Sequence, residues 1–444
     1  MKKYVLIEDK IKKFKKKITV SADKSLSIRW ILMAAQAVGK SIAYNLLNSD
    51  DVNNALNTVK KLGVKVIKKK NLCQIDGVGL NGFSLKNNTI IDAGNSGTLA
   101  RLIIGVLAKS NKTIVLKGDK SLSKRDFSRV IKPLKKFGLS FKSNKNNLPL
   151  KFKGTNYLSP IKYEELKGSA QVKSCILLAA LNTPGKTIIR CFPSRDHTER
   201  LFKFLNLPIK IKKNKKYETI EFTGQKQFGG FNYRIPGDIS SSAFFIVLAL
   251  LSKNSEIKIK NININKSRTG IIEILQKMNA KIKLKNKKIY NGEKVSDIVI
   301  KSSKNLRSIN CSTEMNSRSI DELIIIFLVC AKAKGISYFK NIQELRHKES
   351  DRLKLSANFL RMIGVKVKET ISTLKIYGNP KLELNKSYIV KNFMKDHRIF
   401  MMSCIAALTL GGRFKIYDPD SIKTSFPTFL KIIKNLGGKI KWKN

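Results

Sequence analysis

Acidic residues are scarce in this chain: 31 Asp and Glu stand against 88 Lys and Arg, a formal net charge of +57. Histidine is nearly absent, with 3 in 444 residues, and no His or Cys pair has metal-ligand spacing, so no resident metal is expected. The six cysteines, Cys73, Cys175, Cys191, Cys311, Cys330 and Cys404, are scattered without a C-x-x-C, which predicts reduced thiols rather than a disulfide framework. No apolar run reaches roughly 18 residues, so no membrane-spanning helix is expected. Residues 1–20 are lysine-rich and lack the apolar core and cleavage site of a secretory leader. Together these absences predict a soluble, cytoplasmic chain with no membrane partner.

The positive excess admits two readings. A nucleic-acid binder gathers its basic residues into a patch interleaved with aromatics. Here lysine is spread along the chain, from Lys10-Ile11-Lys12-Lys13 to Lys439-Ile440-Lys441-Trp442-Lys443, often alternating with Ile or Asn. That pattern predicts a solvated surface and no nucleic-acid partner, although its field attracts anionic substrates.

At 444 residues the chain exceeds what one core usually organises, so two domains are expected. What the sequence holds is a repeat. An apolar helix ending in Gly or Asn and running into an alternating strand recurs around Gly63, Gly138, Asn206, Asn279, Gly364 and Gly437, at steps of 75, 68, 73, 85 and 73 residues. Each repeat also carries a helix that is apolar all round and therefore buried, over 30–37, 100–108, 175–181, 243–251, 323–331 and 399–408. With turns such as those at Asn71 and Asn214, each unit reads as strand, helix, strand, helix, strand, strand. The predicted fold class is α/β (α+β): two similar domains, each of three βαβαββ units with buried helices. The domains are expected at 22–235 and at 1–21 plus 236–444, with the hinge at 21–22 and 235–237. If the buried helices lie parallel, their positive ends face an interdomain cleft suited to a multiply charged anion.

Each buried helix is preceded by a polar motif: Asp23-Lys24-Ser25, Gly94-Asn95-Ser96-Gly97-Thr98, Gly168-Ser169-Ala170-Gln171, Pro236-Gly237-Asp238, Ser319-Ile320-Asp321-Glu322 and Asp396-His397-Arg398. A helix start leaves about four backbone N–H groups unpaired, and Lys24 and Arg29 add full charges beside the first. Ser319-x-x-Glu322 reads as a capping box, with Asp321 in the first turn, where the dipole alone favours it. Lys348 and Arg352, four apart at the start of a helix running to Met362, are expected to share a face with Glu349 beside them.

These motifs, with Gly118-Asp119-Lys120-Ser121-Leu122 and Arg125, Ser194-Arg195-Asp196-His197-Thr198-Glu199, Arg268-Thr269-Gly270, Arg346-His347-Lys348-Glu349-Ser350-Asp351-Arg352 and Ser425-Phe426-Pro427, resemble the enolpyruvyl transferase family, in its 5-enolpyruvylshikimate-3-phosphate synthase branch. About eleven motifs in family order span nearly the whole chain. The resemblance implies two inside-out α/β domains, transfer of an enolpyruvyl group from phosphoenolpyruvate to the 5-hydroxyl of shikimate 3-phosphate on the route to aromatic amino acids, and no cofactor. It further implies catalytic roles for Asp321, Glu349 and Lys24. Shikimate 3-phosphate would be held by Lys24, Ser25, Arg29, Ser169, Ala170, Gln171, Arg195, Asp321 and Lys348. Phosphoenolpyruvate would be held by Lys24, Asn95, Gly97, Arg125, Gln171, Arg352 and Arg398. Gly97 also implies room for the herbicide glyphosate, and a monomer is expected. His397 is expected to orient its neighbours or help move a proton.

Three positions depart from the family pattern. Asp126 replaces the usual Pro after the loop arginine, His347 adds a titratable group, and Lys423 is one position off the family lysine, which puts its binding role in doubt. Two alternatives stay open at this point. One is the branch that uses a UDP-amino sugar, which places a Cys in the loop corresponding to residues 117–129, where this chain has none. The other is nucleic-acid binding, motivated by the charge.

Overall fold

The computed structural model describes residues 3–69, 72–143, 145–214 and 216–443, so the turn expected at Asn71 lies outside the described residues. Two strands open the chain, β1 (Tyr4–Ile7) and β2 (Lys15–Ile18). Then follow α1 (Lys24–Gln36), β3 (Val38–Tyr44), α2 (Asp50–Lys61), β4 (Lys65–Lys69) and β5 (Leu72–Val78). The second repeat holds β6 (Thr89–Asp92), α3 (Gly97–Val106), β7 (Thr113–Lys117), α4 (Ser128–Lys136), β8 (Ser140–Ser143) and β9 (Leu150–Lys153). The third holds β10 (Lys162–Glu165), α5 (Ala170–Leu181), β11 (Lys186–Cys191), α6 (His197–Phe204), β12 (Ile209–Lys213) and β13 (Glu218–Thr223), and β14 (Asn232–Arg234) comes after it.

The fourth repeat runs through α7 (Ile239–Leu251), β15 (Glu256–Asn263), α8 (Gly270–Lys277), β16 (Lys281–Tyr290) and β17 (Glu293–Lys301). The fifth adds a short helix that the repeat pattern did not suggest: β18 (Asn310–Cys311), α9 (Thr313–Arg318), α10 (Leu323–Lys332), β19 (Gly335–Phe339), α11 (Arg352–Met362), β20 (Val367–Glu369) and β21 (Leu374–Gly378). The last holds β22 (Leu384–Val390), α12 (His397–Leu410), β23 (Gly411–Tyr417), α13 (Phe429–Asn435) and β24 (Lys441–Lys443).

The chain divides into two units. Unit I comprises Ala22–Ile235 together with Ile289–Glu293, and unit II comprises Met1–Ser21, Pro236–Lys288 and Lys294–Asn444. Residues 289–293, at the turn between β16 and β17, are thus counted apart from the rest of their hairpin.

Unit I has three four-stranded sheets, ordered β14-β3-β5-β4, β6-β7-β9-β8 and β10-β11-β13-β12. In each, the first pair is parallel and the rest antiparallel, as a βαβ crossover followed by two reversals requires. Unit II repeats the scheme as β16-β17-β15-β2, β18-β19-β21-β20 and β22-β23-β1-β24. The first repeat of each unit lacks a leading strand of its own. β14 fills that place beside β3, and β2 fills it beside β15, both in parallel pairing. β1 supplies the inner strand between β23 and β24.

The buried helices form as their composition dictates, and each unit packs its three into its own core, with Trp30, Leu102 and Leu177 in unit I and Phe245, Phe327 and Met402 in unit II. Side-chain caps start five of the six. Asp23 accepts from Leu26 N, Ser96 from Leu99 N, Ser169 from Val172 N, Asp238 from Ser240 N and Asp396 from Arg398 N. The exposed helices stop where the repeat motif ends. Gly63, Gly138, Asn206, Asn279, Gly364 and Gly437 all have positive φ, between 52° and 106°, a conformation that Gly and Asn adopt most readily. Asn214 makes the expected turn between β12 and β13, its side chain accepting from Lys216 N and Tyr217 N.

Candidate active site

In unit I the starts of the buried helices carry interlocked polar groups. Lys24, the first residue of α1, places Nζ 2.8 Å from Asp51 Oδ2, and that carboxylate is itself buried in the first turn of α2. Ser25 follows Lys24, and its carbonyl accepts from Arg29 Nη1 at 3.1 Å. Arg29 is buried, with Nε on Thr198 Oγ1 and Nη2 on Ser174 Oγ, each at 2.9 Å.

At α3, Asn95 donates to Asp119 Oδ2 at 2.6 Å and accepts from Arg125 Nη2 at 3.3 Å, which joins the Gly94–Gly97 turn to the loop carrying Arg125. A methyl group on Gly97 would lie 2.8 Å from both Arg101 Nη1 and Arg125 Nη1, so only glycine lets the two guanidiniums approach this turn. Arg101 Nη1 also donates to Gln171 Oε1 at 3.0 Å, and Gln171 Nε2 donates to Thr98 Oγ1 at 3.1 Å, tying the starts of α3 and α5.

Ser169 caps α5, and its N–H donates to Glu165 Oε2 at 2.8 Å. Burial pushes the Glu165 carboxyl above its usual range, against the backbone N–H groups that bond it. Ala170 is the first residue of α5. Arg195 is half-buried in the loop between β11 and α6, immediately before Asp196, the residue at the α6 N-cap position. Asp126, in place of the family proline, accepts from Ser128 N and Oγ, while its carbonyl receives a long 3.5 Å bond from Arg101.

In unit II a single arginine gathers the carboxylates. Arg352, 1% exposed, donates from Nε to Asp396 Oδ2 at 2.8 Å and from Nη2 to Asp396 Oδ1 at 3.3 Å. Its Nη2 also lies 2.6 Å from Glu349 Oε2, and its Nη1 lies 3.4 Å from Asp321 Oδ1. Lys348 Nζ reaches the same Asp321 oxygen at 3.5 Å, and Arg398 Nη1 donates to the Asp321 carbonyl at 2.8 Å. Two cations, Arg352 and Lys348, thus meet three carboxylates, and the Arg398 guanidinium joins them through the Asp321 main chain. Burial pushes the Asp396 carboxyl up, but Arg352 beside it outweighs this and holds it below the ordinary range. Burial likewise works against the Arg352 charge, and Asp396 and Glu349 more than offset it.

Two local expectations need correction. Ser319 and Glu322 form no capping box: the Ser319 hydroxyl donates to Met315 O, and the Glu322 carboxylate takes the Ser240 hydroxyl. Helix α10 starts at Leu323, so Asp321 sits in the turn after α9 rather than in a first helical turn. Nor do Lys348 and Arg352 share a helical face. Gln343–His347 is a 3-10 turn, Lys348 and Glu349 lie in the loop after it, and Arg352 is the first residue of α11. Folding of that loop, not helical spacing, brings Lys348 and Arg352 to Asp321 and Glu349 to Arg352.

Outside the cluster, Lys423 is exposed and pairs with Asp420 at 2.8 Å, while His347 is exposed. His397 is buried at the start of α12, its Nδ1 3.3 Å from Thr424 Oγ1. Sequence reasoning assigned no role to Asp51, Arg101 and Asp396. Arg101 stands four residues after Gly97 and Asp396 precedes a buried helix, but their partners are 70 and 44 positions away. Nothing local marks Asp51 as the partner of Lys24.

Residues 8–433 match the family described as EPSP synthase (3-phosphoshikimate 1-carboxyvinyltransferase). The chain is 40% identical over 428 residues to a 3-phosphoshikimate 1-carboxyvinyltransferase of Ruthia magnifica subsp. Calyptogena magnifica, covering 96% of both chains. It is 38% identical to a protein of the same name from Petrotoga mobilis, covering 94% of this chain and 96% of that one. Among solved structures it is similar to an EPSP synthase from Acinetobacter baumannii, with a TM-score of 0.86 and 33% identity over the full length of both chains. It shares its fold with the enolpyruvyl transferase NikO from Streptomyces tendae, at a TM-score of 0.79 and 13% identity, covering 100% and 99% of the two chains. On this evidence the chain belongs to the EPSP synthase family, the 3-phosphoshikimate 1-carboxyvinyltransferases.

Proposed function

We propose that this protein transfers the enolpyruvyl group of phosphoenolpyruvate to the 5-hydroxyl of shikimate 3-phosphate and releases inorganic phosphate. The family match over residues 8–433 carries the reading, and the clustering of Asp321 and Glu349 on Arg352 supports it. The reaction needs an acid to protonate the methylene of phosphoenolpyruvate and a base for the attacking hydroxyl. In our reading Glu349 serves the methylene and Asp321 the sugar hydroxyl. Both lie at the edge of a buried guanidinium, which orients them.

In this reading Arg125, Arg352 and Arg398 hold the phosphate and carboxylate of phosphoenolpyruvate, and Asn95, Gly97 and Gln171 are further ligands of the same substrate. An arginine fork matches either anion bidentately. Ser25, Arg29, Ser169, Ala170, Gln171, Arg195, Asp321 and Lys348 hold shikimate 3-phosphate, and Lys24 serves both substrates and the catalytic step. The enzyme acts as a cytoplasmic monomer in this reading. The UDP-amino-sugar branch is not the one the match favours, and the lysines lie along exposed strands of several sheets, such as β4, β12 and β16, which supports a solvated surface over a nucleic-acid site.

A coupled assay for phosphate release, with each substrate omitted in turn, tests the reading. Release only when both are present is expected, and no release with both present refutes it.

A further inference from the structure

Thr198, in the first turn of α6, and Ser174, in α5, are 2% and 1% exposed, and no role assigned above uses their hydroxyls. Thr198 Oγ1 donates to Ser174 Oγ at 2.8 Å, and both oxygens accept from Arg29, Thr198 from Nε and Ser174 from Nη2. Nε and Nη2 share one edge of the rigid, planar guanidinium. The hydroxyl pair therefore grips a whole edge of that plane, and the Ser25 carbonyl, on Nη1, takes up the remaining rotation.

The grip is itself braced. Lys173, next to Ser174, has no exposed surface, and its Nζ lies 2.6 Å from Oε1 of Glu199, next to Thr198. Two successive residues of α5 thus engage two successive residues of α6. Apolar side chains would pack these helices as well as a buried ion pair does, without its desolvation cost. What the polar set adds is direction, and the group it directs is Arg29.

We propose that Thr198 and Ser174 are positioning residues for Arg29, whose hydroxyl pair sets the plane in which the guanidinium meets a phosphorylated, anionic substrate. The inference rests on the reading of Arg29 as a ligand of shikimate 3-phosphate. Misorienting a fork lowers affinity for the anion it faces without touching the chemical step, so the signature is a rise in one KM.

Steady-state kinetics on the full chain test this, with Thr198→Val, Thr198→Ser, Ser174→Ala and Arg29→Ala each compared with the parent. Thr198→Val is expected to raise KM for shikimate 3-phosphate about tenfold, the weight of one charge-assisted hydrogen bond, with kcat and KM for phosphoenolpyruvate within about twofold. Thr198→Ser, which restores the hydroxyl, is expected to bring KM back to the parent value. If Thr198→Val does not fold, Ser174→Ala carries the test with the same expected rise. An unchanged KM in the variant that folds, alongside a steep rise in Arg29→Ala, overturns the positioning role and leaves Arg29 as a ligand. An unchanged KM in Arg29→Ala overturns both. A lower melting temperature with every kinetic constant unchanged also refutes the proposal, because it marks Thr198 and Ser174 as packing residues only.

Discussion

Replacing Asp396 by Asn tests whether the unit II cluster is organised by its fully buried carboxylate. Asp396 has no exposed surface, and each of its oxygens accepts twice: Oδ2 from Arg352 Nε and Ser350 Oγ, Oδ1 from Arg352 Nη2 and Arg398 N. Asn keeps the shape but turns one oxygen into a donor that faces two donors, and it removes the charge opposite Arg352. Breaking a buried ion pair in this way costs about 3–5 kcal/mol, which for a unit of this size lowers Tm by roughly 10 °C.

The same change loosens Arg352, so kcat/KM for phosphoenolpyruvate is expected to fall by about 10²-fold, the counterpart of losing one or two charge-assisted hydrogen bonds. The effect has a definite pH window. The Asp396 carboxyl titrates below its usual value in the folded protein, so its stabilisation is complete above the unfolded value of about 3.9 and disappears as pH falls through the folded one. Thermal melts of parent and variant are therefore expected to differ most at neutral pH and to converge in strong acid. A Tm within about 2 °C of the parent at pH 7, or an unchanged kcat/KM for phosphoenolpyruvate, would refute the reasoning.

Asp321→Asn and Glu349→Gln are each expected to lower kcat by about 10²-fold with both KM values within about tenfold; a variant near the parent kcat removes that residue from the mechanism. Gly97→Ala puts a methyl group 2.8 Å from the Arg101 and Arg125 guanidiniums, and a raised KM for phosphoenolpyruvate is the expected result in the phosphate-release assay. Turnover is expected to fall in millimolar glyphosate, and undiminished turnover would count against the implied space beside Gly97. All six cysteines are free and buried, and burial pushes the Cys73 thiol up to about 11 and those of Cys175, Cys191, Cys311 and Cys330 up to about 12. A thiol reagent at pH 8 is thus expected to label none in the native protein and all six after unfolding.

The sequence by itself determined what depends on neighbouring residues. Helices apolar all round had to be buried, Gly or Asn at six helix ends supplied the left-handed turn, and Asp, Ser or their like marked the helix starts. Because these signals recur six times, the repeat and the α/β class were legible before any contact was known. So were the polar motifs, since each lies within a few residues of a helix start.

Only the tertiary structure decided which distant groups meet. β14 completes the first sheet of unit I from about 190 positions along the chain, and although residues 1–21 were expected with 236–444, the pairing of β1 with β23 and of β2 with β15 is set by folding, because an unpaired strand edge is satisfied wherever folding brings a partner. The partnership of Arg352 with Asp396 across 44 positions, of Arg29 with Thr198 across 169, and of Lys24 with Asp51 across 27 is equally invisible to local pattern. Local pattern also misplaced Asp321 and Lys348, reading a capping box and a helical pair where the chain makes a turn and a loop. Propensity acts through the backbone of a few residues, whereas a buried charge is satisfied only by what packs against it.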